Sequence, residues 1–391
     1  MSLLTKASLV MTPNAIKSNK VYSIIPSNGN GDLTFTRDTA ATQVNSSGNV
    51  ENVLTTIPRL NYNSVGGCPS LLLEPQRTNL KNYSDSFSVL GWTRSTGVVY
   101  TDNQLSPQNI NNALLAEGLN GTGLAGVGSI TTLTNLIVSG NTNYTFSVYA
   151  KLKTASVNNF RLRVKSNTSN TNFYKEQALT TTSWTRVSLT VLIPVGDFSA
   201  DLVIGTLSGA LDVYLFGAQL EQGAYPTSYI PTTTSAVTRN ADVFSRNNIY
   251  TNGLITSAGG TWFVEINNNV PLIRDGAMTG LFIDTSSGSF INGFNIRNTG
   301  GSSRLNISSW QGGSGASLYT TLVDIVKIAI KWNGSTCDVF VNTIKVYTGA
   351  FTPTTMQFLS ATSTVGVPYY IKSTYLFPTP LTDTECISLT T

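Results

Sequence analysis

Tyr144-Thr145-Phe146-Ser147-Val148-Tyr149-Ala150-Lys151 decides the fold class, because its apolar residues fall on every second position. A period of two marks a half-buried β-strand, with Tyr144, Phe146, Val148 and Ala150 on one face and Thr145, Ser147, Tyr149 and Lys151 on the other. The alternation returns in Phe160, Leu162 and Val164, in Val187, Leu189, Val191 and Ile193, and in Leu211, Val213 and Leu215. Turn clusters such as Lys165-Ser166-Asn167-Thr168-Ser169-Asn170 separate these runs, with no helical stretch between them. This pattern predicts an all-β chain with an antiparallel sandwich or jelly roll over residues 81–236.

A second sandwich is expected over residues 237–391, where Trp262, Val264 and Ile266 alternate, as do Val326, Ile328, Ile330 and Trp332. Asn333-Gly334 carries the strongest two-residue hairpin signature, and Asn342-Thr343 breaks the run again. Tyr370 to Phe377 reads as a final strand, and Thr382 with Glu385 forms a capping box that predicts a short closing helix. Thr232-Thr233-Thr234-Ser235 reads as a linker between the sandwiches, with Pro226, Tyr229 and Pro231 setting a rigid corner before it. Residues 1–80 show short extended pieces broken by turns such as Asn28-Gly29-Asn30-Gly31-Asp32, without a visible core of their own. They are expected to pack on the next domain or to dock on a partner protein.

The 391 residues allow two to three domains. Only 11% of them are charged, against about 25% in an ordinary soluble domain, which suits sheet surfaces of hydroxyls and amides. The formal charge of +4 is scattered without a basic run, so no nucleic-acid footprint is present. No apolar run reaches the roughly 18 residues that span a bilayer. Lys6 interrupts what would have to be the apolar core of a signal peptide. Cys68, Cys337 and Cys386 are odd in number and far apart, which argues for small apolar residues rather than a disulfide framework.

Two stretches carry more specific information. One is Gly67-Cys68-Pro69-Ser70-Leu71-Leu72-Leu73-Glu74-Pro75-Gln76-Arg77-Thr78-Asn79-Leu80, preceded by Phe35 to Asn45 and Pro58-Arg59-Leu60-Asn61-Tyr62. The other is Gly217-Ala218-Gln219-Leu220-Glu221-Gln222-Gly223-Ala224-Tyr225-Pro226-Thr227-Ser228-Tyr229-Ile230-Pro231-Thr232, followed by Thr238-Arg239-Asn240-Ala241-Asp242. In words and spacing they resemble a recurring pair in virion proteins of tailed bacteriophages. The resemblance implies a fibre, spike or decoration protein, with residues 1–80 as a docking segment for other virion proteins. It further implies a carbohydrate-binding-module-like jelly roll and a concanavalin A-like (laminin-G-like) sandwich in tandem. Homotrimeric assembly follows from the same analogy, adhesion to host-surface glycans is the expected role, and the lack of an export signal and of a disulfide framework fits assembly in the bacterial cytoplasm and release by lysis. A purely architectural role is the alternative, with a polysaccharide depolymerase behind it.

The chain has no histidine, which removes the common general base, the nucleophile–histidine arrangements and the usual zinc sets. Glu265 stands alone on its strand, with no second carboxylate at glucanase spacing. Gly121 to Gly128 matches the glycine spacing of a dinucleotide loop but lacks the strand–helix context, and reads as a loop. No catalytic residue and no cofactor is therefore assigned. Lectin-like sandwiches often hold calcium through loop carboxylates, which makes Asp275, Asp284 and Asp324 the residues to examine, although they form no recognisable ligand series. Sugar binding needs an exposed aromatic face flanked by amides or hydroxyls. Trp310, amid Ser308, Ser309, Gln311 and Gly312, is the first candidate, followed by Tyr319 and Trp92. Trp184, Trp262 and Trp332 are assigned to the core.

Overall fold

The computed structural model describes residues 3–63, 67–87, 89–121, 128–133, 135–256, 258–267, 280–285, 291–298, 305–321, 325–362 and 368–391. The chain is all-β apart from one short helix and one 3-10 turn among these residues. It divides into two compact units, and their sequence order is nested: Met1–Gly48, Asn52–Gln76 and Asn240–Thr391 form the first, while Asn49–Glu51 and Arg77–Arg239 form the second. The N-terminal stretch, expected to pack on the next domain or to dock on a partner protein, supplies strands to the same unit as the C-terminal residues.

In the second unit, a five-stranded antiparallel sheet runs in the order Val99–Leu105, Asn111–Leu119, Leu211–Gln222, Asn143–Leu152, Thr185–Leu192. It packs on a six-stranded sheet that includes Ile130–Thr132, Ser199–Thr206, Phe160–Ser166 and Thr171–Gln177. The alternating residues point where the sequence places them: Phe146, Val148, Leu162, Val164, Val187, Leu189, Val213 and Leu215 are buried in one core. Trp92 belongs to that core as well, with its indole N–H donating to the Tyr83 carbonyl at 3.1 Å and Phe87 against its ring at 5.1 Å. Lys81 lies over the same indole, 4.4 Å from the ring centroid, and donates to the Gly91 carbonyl at 3.0 Å and the Asn82 carbonyl at 2.7 Å.

In the first unit the two sheets use strands from both ends of the chain. The larger joins Leu33–Thr36 to Val243–Asn247, Phe358–Thr362, Gly280–Asp284, Gly293–Asn298, Leu305–Gln311 and Ser314–Thr321. The other runs Ile344–Ala350, Thr336–Val341, Ile325–Trp332, Gly260–Asn267, Tyr369–Phe377, Ser70–Leu73, Arg59–Asn61. Phe294 of the first sheet meets Trp332 of the second at 5.6 Å, across a core that also buries Trp262. The closing helix Asp383–Leu389 has the expected capping box, and its Cys386 packs with Phe263, Ala329, Phe340 and Phe377 on the outer face of the second sheet. All three cysteines are free, Cys337 and Cys386 being buried. The tight two-residue turn falls at Asn342-Thr343, both at positive φ (44° and 73°), rather than at Asn333-Gly334. There the connection takes three residues, because the Asn333 side chain accepts from the Ser335 and Thr336 N–H groups and opens the turn.

The first unit is locked by buried ions. Asp242 accepts from Arg37 at 2.9 Å, from Arg59, and from the Glu74 N–H at 2.8 Å, while Glu74 takes the other Arg59 nitrogen at 2.6 Å. The four side chains are 0–2% exposed. Arg37 also donates to the carbonyls of Thr39, Leu54 and Ile57, and Arg59 to that of Thr42, so the guanidinium donors tie down the loops between the strands. Burial opposes the charge on Arg59, but Asp242 and Glu74 outweigh it and hold the guanidinium pKa above its ordinary value.

Removing one partner of a buried ion set strands the remaining charges, so Asp242→Ala should lower unfolding free energy by about 3–5 kcal/mol in denaturant titration. A change under about 1 kcal/mol would sink the lock. In the second unit, burial pushes the Lys81 ammonium down to about 7 from 10.5. Between those values the unfolded chain binds the extra proton, so stability should rise as pH goes from about 7 to 10.5 and level off above. Lys81→Met should flatten that rise, and an unchanged slope in the variant would assign it to other groups.

Candidate functional site

The three aromatic residues expected to contact sugar do not come together. Trp92 is 0% exposed, and its ring is occupied by Lys81 and Phe87, so no face remains for a ligand. Trp310 lies near the end of the strand Leu305–Gln311 rather than in a loop, level with Gly293 on one side and Gly315 on the other. Its partly exposed indole lies against Gly315, where an added Cβ would meet the ring at 2.7 Å, and Arg297 stands 5.7 Å from its centroid. Tyr319 pairs with Ile307, three residues before Trp310, and an odd separation puts the two aromatics on opposite faces of that sheet.

The remaining sequence candidates are also accounted for. Asp284 is buried, and its carboxylate closes its own loop by accepting from the N–H groups of Ile291 at 3.2 Å and Asn292 at 3.1 Å. Asp275, Asp324 and residues 122–127 of the glycine loop lie outside the described residues. Glu265 is level with Lys327 across its strand pair and lines an open recess of about 440 Å³ with Asn342 and Thr390, with no second acidic side chain among the described lining residues.

The family-like words turn out to be structural locks. Glu221 is fully buried and accepts from the Thr227 N–H at 2.8 Å, the Thr227 hydroxyl at 2.6 Å and the Gln219 amide at 2.7 Å. Gln219 in turn accepts from the Ile230 N–H at 2.7 Å, Arg77 donates to the Tyr225 hydroxyl at 2.9 Å, and Arg239 donates to Ser228 at 2.9 Å. Tyr229 is buried with its hydroxyl 2.7 Å from Ser84 and its ring edge-on to Phe216 at 5.0 Å; burial raises its pKa. Thr232, the first residue of the expected linker, is likewise buried, with its hydroxyl donating to the Lys81 carbonyl at 2.6 Å. Residues 224–232 are therefore an integral flap of the second unit rather than an interdomain corner.

That flap decides which part of the five-stranded sheet is open. Residues opposite the core on this sheet include Thr145, Ser147, Tyr149 and Lys151 on one strand and Tyr214, Phe216, Gln219 and Glu221 on its neighbour. Gly217, at φ 66°, supplies the bulge that keeps Gln219 and Glu221 on that outer face, and a Cβ there would crowd the Tyr149 and Tyr229 rings. The flap covers Gln219, Glu221 and, through Tyr229, Phe216, and leaves Tyr149, Lys151 and Tyr214 partly exposed. In the open half Trp184, which immediately precedes the Ala150 partner Thr185, comes level with Lys151, and Lys151 pairs with Tyr214. The Lys151 ammonium stands 5.3 Å from both ring centroids, and the two rings are 6.4 Å apart. The next row holds Tyr149, 6.1 Å from Phe216, with the Arg186 guanidinium over its ring at 5.3 Å. Trp184, Lys151, Tyr214, Tyr149 and Arg186 are all partly exposed.

Trp184, expected in the core, thus lies on the outer face. The alternation contains the reason: Val187, Leu189 and Val191 point inward, so Trp184 and Arg186, an odd number of residues away, point outward. Farther along this face Lys153 is paired with Glu117 at 2.5 Å, and Asp212 accepts from the Gly118 N–H at 2.9 Å and the Thr154 hydroxyl at 3.3 Å. The open half is a flat array of aromatic rings and cations, with these partnered acids on one side and the flap on the other.

No protein-family model matches the chain, and no curated protein matches its sequence. Solved structures do. One is the CBM22-1 xylan-binding domain from Paenibacillus barcinonensis, at 15% identity and a TM-score of 0.28, covering 37% of this chain and 92% of that domain. A tandem of two CBM22 domains from the same organism matches at 11% identity and a TM-score of 0.29, covering 77% of this chain and 97% of the tandem. Domain 4 of AbnA, an extracellular arabinanase from Geobacillus stearothermophilus solved with arabinotriose, matches at 12% identity and a TM-score of 0.29, covering 43% of this chain and 81% of that one. The first two of these are named as carbohydrate-binding modules of the CBM22 type.

Proposed function

We propose that the chain is a non-catalytic glycan-binding protein and that it serves as a fibre, spike or decoration of a tailed-bacteriophage particle. The observation that carries the glycan reading is the open row of Trp184, Lys151 and Tyr214 on the second unit. Aromatic rings held partly exposed by a β-sheet can stack on the apolar side of a sugar ring. Nothing about the row suggests chemistry, since the nearby carboxylates Glu117 and Asp212 already hold partner groups. The virion assignment, and with it location on the particle, rests on the resemblance of the two sequence words, whose residues build the buried locks.

An architectural role is the second reading, and one observation favours it. Ile137, Val195 and Phe198 are 85%, 83% and 65% exposed, and Ile137 lies on the strand that pairs beside Phe198. An apolar cluster at one end of a sandwich suits contact with another subunit, such as the neighbouring copy in a trimer.

A glycan array followed by titration calorimetry on the best hit tests the first reading. Trp184→Ala and Tyr214→Ala should each weaken binding about tenfold, the size of one lost stacking contact, with Trp310→Ala within about twofold of the parent. If Trp310→Ala alone abolishes binding, the site lies on the first unit. Mass spectrometry of purified particles should find the chain as a stoichiometric component, and its absence there would remove the virion assignment.

A further inference from the structure

Among the charged groups on the outer face of the five-stranded sheet, Lys151 is set apart by its company. Lys153 is neutralised by Glu117, and Glu221 is sealed under the flap. Lys151 has aromatic neighbours instead: its ammonium is equidistant from the Trp184 and Tyr214 rings, 5.3 Å from each, and no carboxylate among the described residues pairs with it. Arg186 repeats the arrangement one row on, over Tyr149, with its nitrogens donating to the Thr227 carbonyl and, at 3.0 Å, to the Ser147 hydroxyl. Both cations are oriented by π-faces and neutral oxygens, contacts that fix a positive group in place without cancelling its charge.

We propose that this face selects an anionic polysaccharide, of the uronate type, with Lys151 as the group that reads the charge. The inference rests on the glycan-binding reading above. A neutral glycan laid on the row would have to take water from two unneutralised cations and return only hydroxyl contacts. A chain with a carboxylate on each ring returns a full counter-charge while its apolar ring face still meets Trp184 and Tyr214. The penalty on the neutral competitor, more than any gain on the correct one, makes the face discriminate. Glu117 and Asp212 mark where the preference ends, since beyond Tyr214 the surface carries its own acids.

The test uses the intact chain and one polymer in two charge states: polygalacturonate and its fully methyl-esterified form, which keeps the sugar ring and removes the carboxylate charge. Alginate and hyaluronate serve as further charged probes, and dextran as a neutral one. Affinity electrophoresis should show at least one charged polymer bound about ten times or more tightly than its neutral counterpart, with the difference shrinking as sodium chloride is raised. Lys151→Met should bring the charged and neutral forms within about twofold, and Lys151→Arg should keep most of the preference. Equal binding of both charge states by the parent, with Trp184→Ala weakening both, overturns the charge inference and leaves the glycan reading standing. Retention of the full preference in Lys151→Met overturns the role of this residue. Binding of no probe, charged or neutral, overturns both readings together.

Discussion

Two arginines and two carboxylates, closed off from water, set the condition that the first unit must meet to fold. Arg37, Arg59, Glu74 and Asp242 sum to zero charge, and each comes from a different part of the chain. Isolating any one of them in a medium that cannot solvate it would cost several kcal/mol, so the strands that carry them have one acceptable arrangement. The second unit has a lock of its own around Glu221, where the Thr227 hydroxyl and N–H and the Gln219 amide bind the carboxylate and Arg77 stands 4.0 Å away as its counter-ion. In a chain with few charged residues, these charges go to the interior, where they specify geometry. The surface is left largely to hydroxyls and amides.

How much of this the sequence reveals depends on what each element rests on. Strands with one covered face are legible because side-chain alternation is local, and Phe146, Leu162, Val187 and Val213 point inward where the period puts them; the capping box at Thr382 and Glu385 is local too. The words around Glu74 and Glu221 are visible, but their role is not, since Asp242 meets Arg37 across more than two hundred residues and no spacing rule reaches that far. The affiliation of the N-terminal stretch is hidden for the same reason: its strands complete sheets whose other members come after residue 240. Trp184 misleads by its size, which suggests burial, although its parity on the strand points outward.

The candidate site follows from a division of labour along one sheet face. A strand pair as long as Asn143–Leu152 with Leu211–Gln222 has more outer surface than one ligand row needs, and the flap of residues 224–232 claims the half where Thr145, Ser147, Gln219 and Glu221 lie. What stays open is the half whose side chains are aromatic or cationic. The Glu221 lock and the site therefore share strands, and the sequence words that build this lock also define the border of the site.

The nesting of one unit within the sequence of the other has a consequence for synthesis. As the chain leaves the ribosome, residues 1–76 emerge with Arg37, Arg59 and Glu74 but without Asp242. Arg59–Asn61 and Ser70–Leu73 can pair with each other, yet Leu33–Thr36 lacks Val243–Asn247 and Ser70–Leu73 lacks Tyr369–Phe377. The inserted unit, whose first strand Arg77–Asn79 pairs with its last, Val237–Arg239, can finish before those partners arrive. The early segment waits through that interval with open strand edges, Leu33–Thr36 until Val243–Asn247 emerges and Ser70–Leu73 until Tyr369–Phe377 does, and an open edge is a template for pairing with other chains.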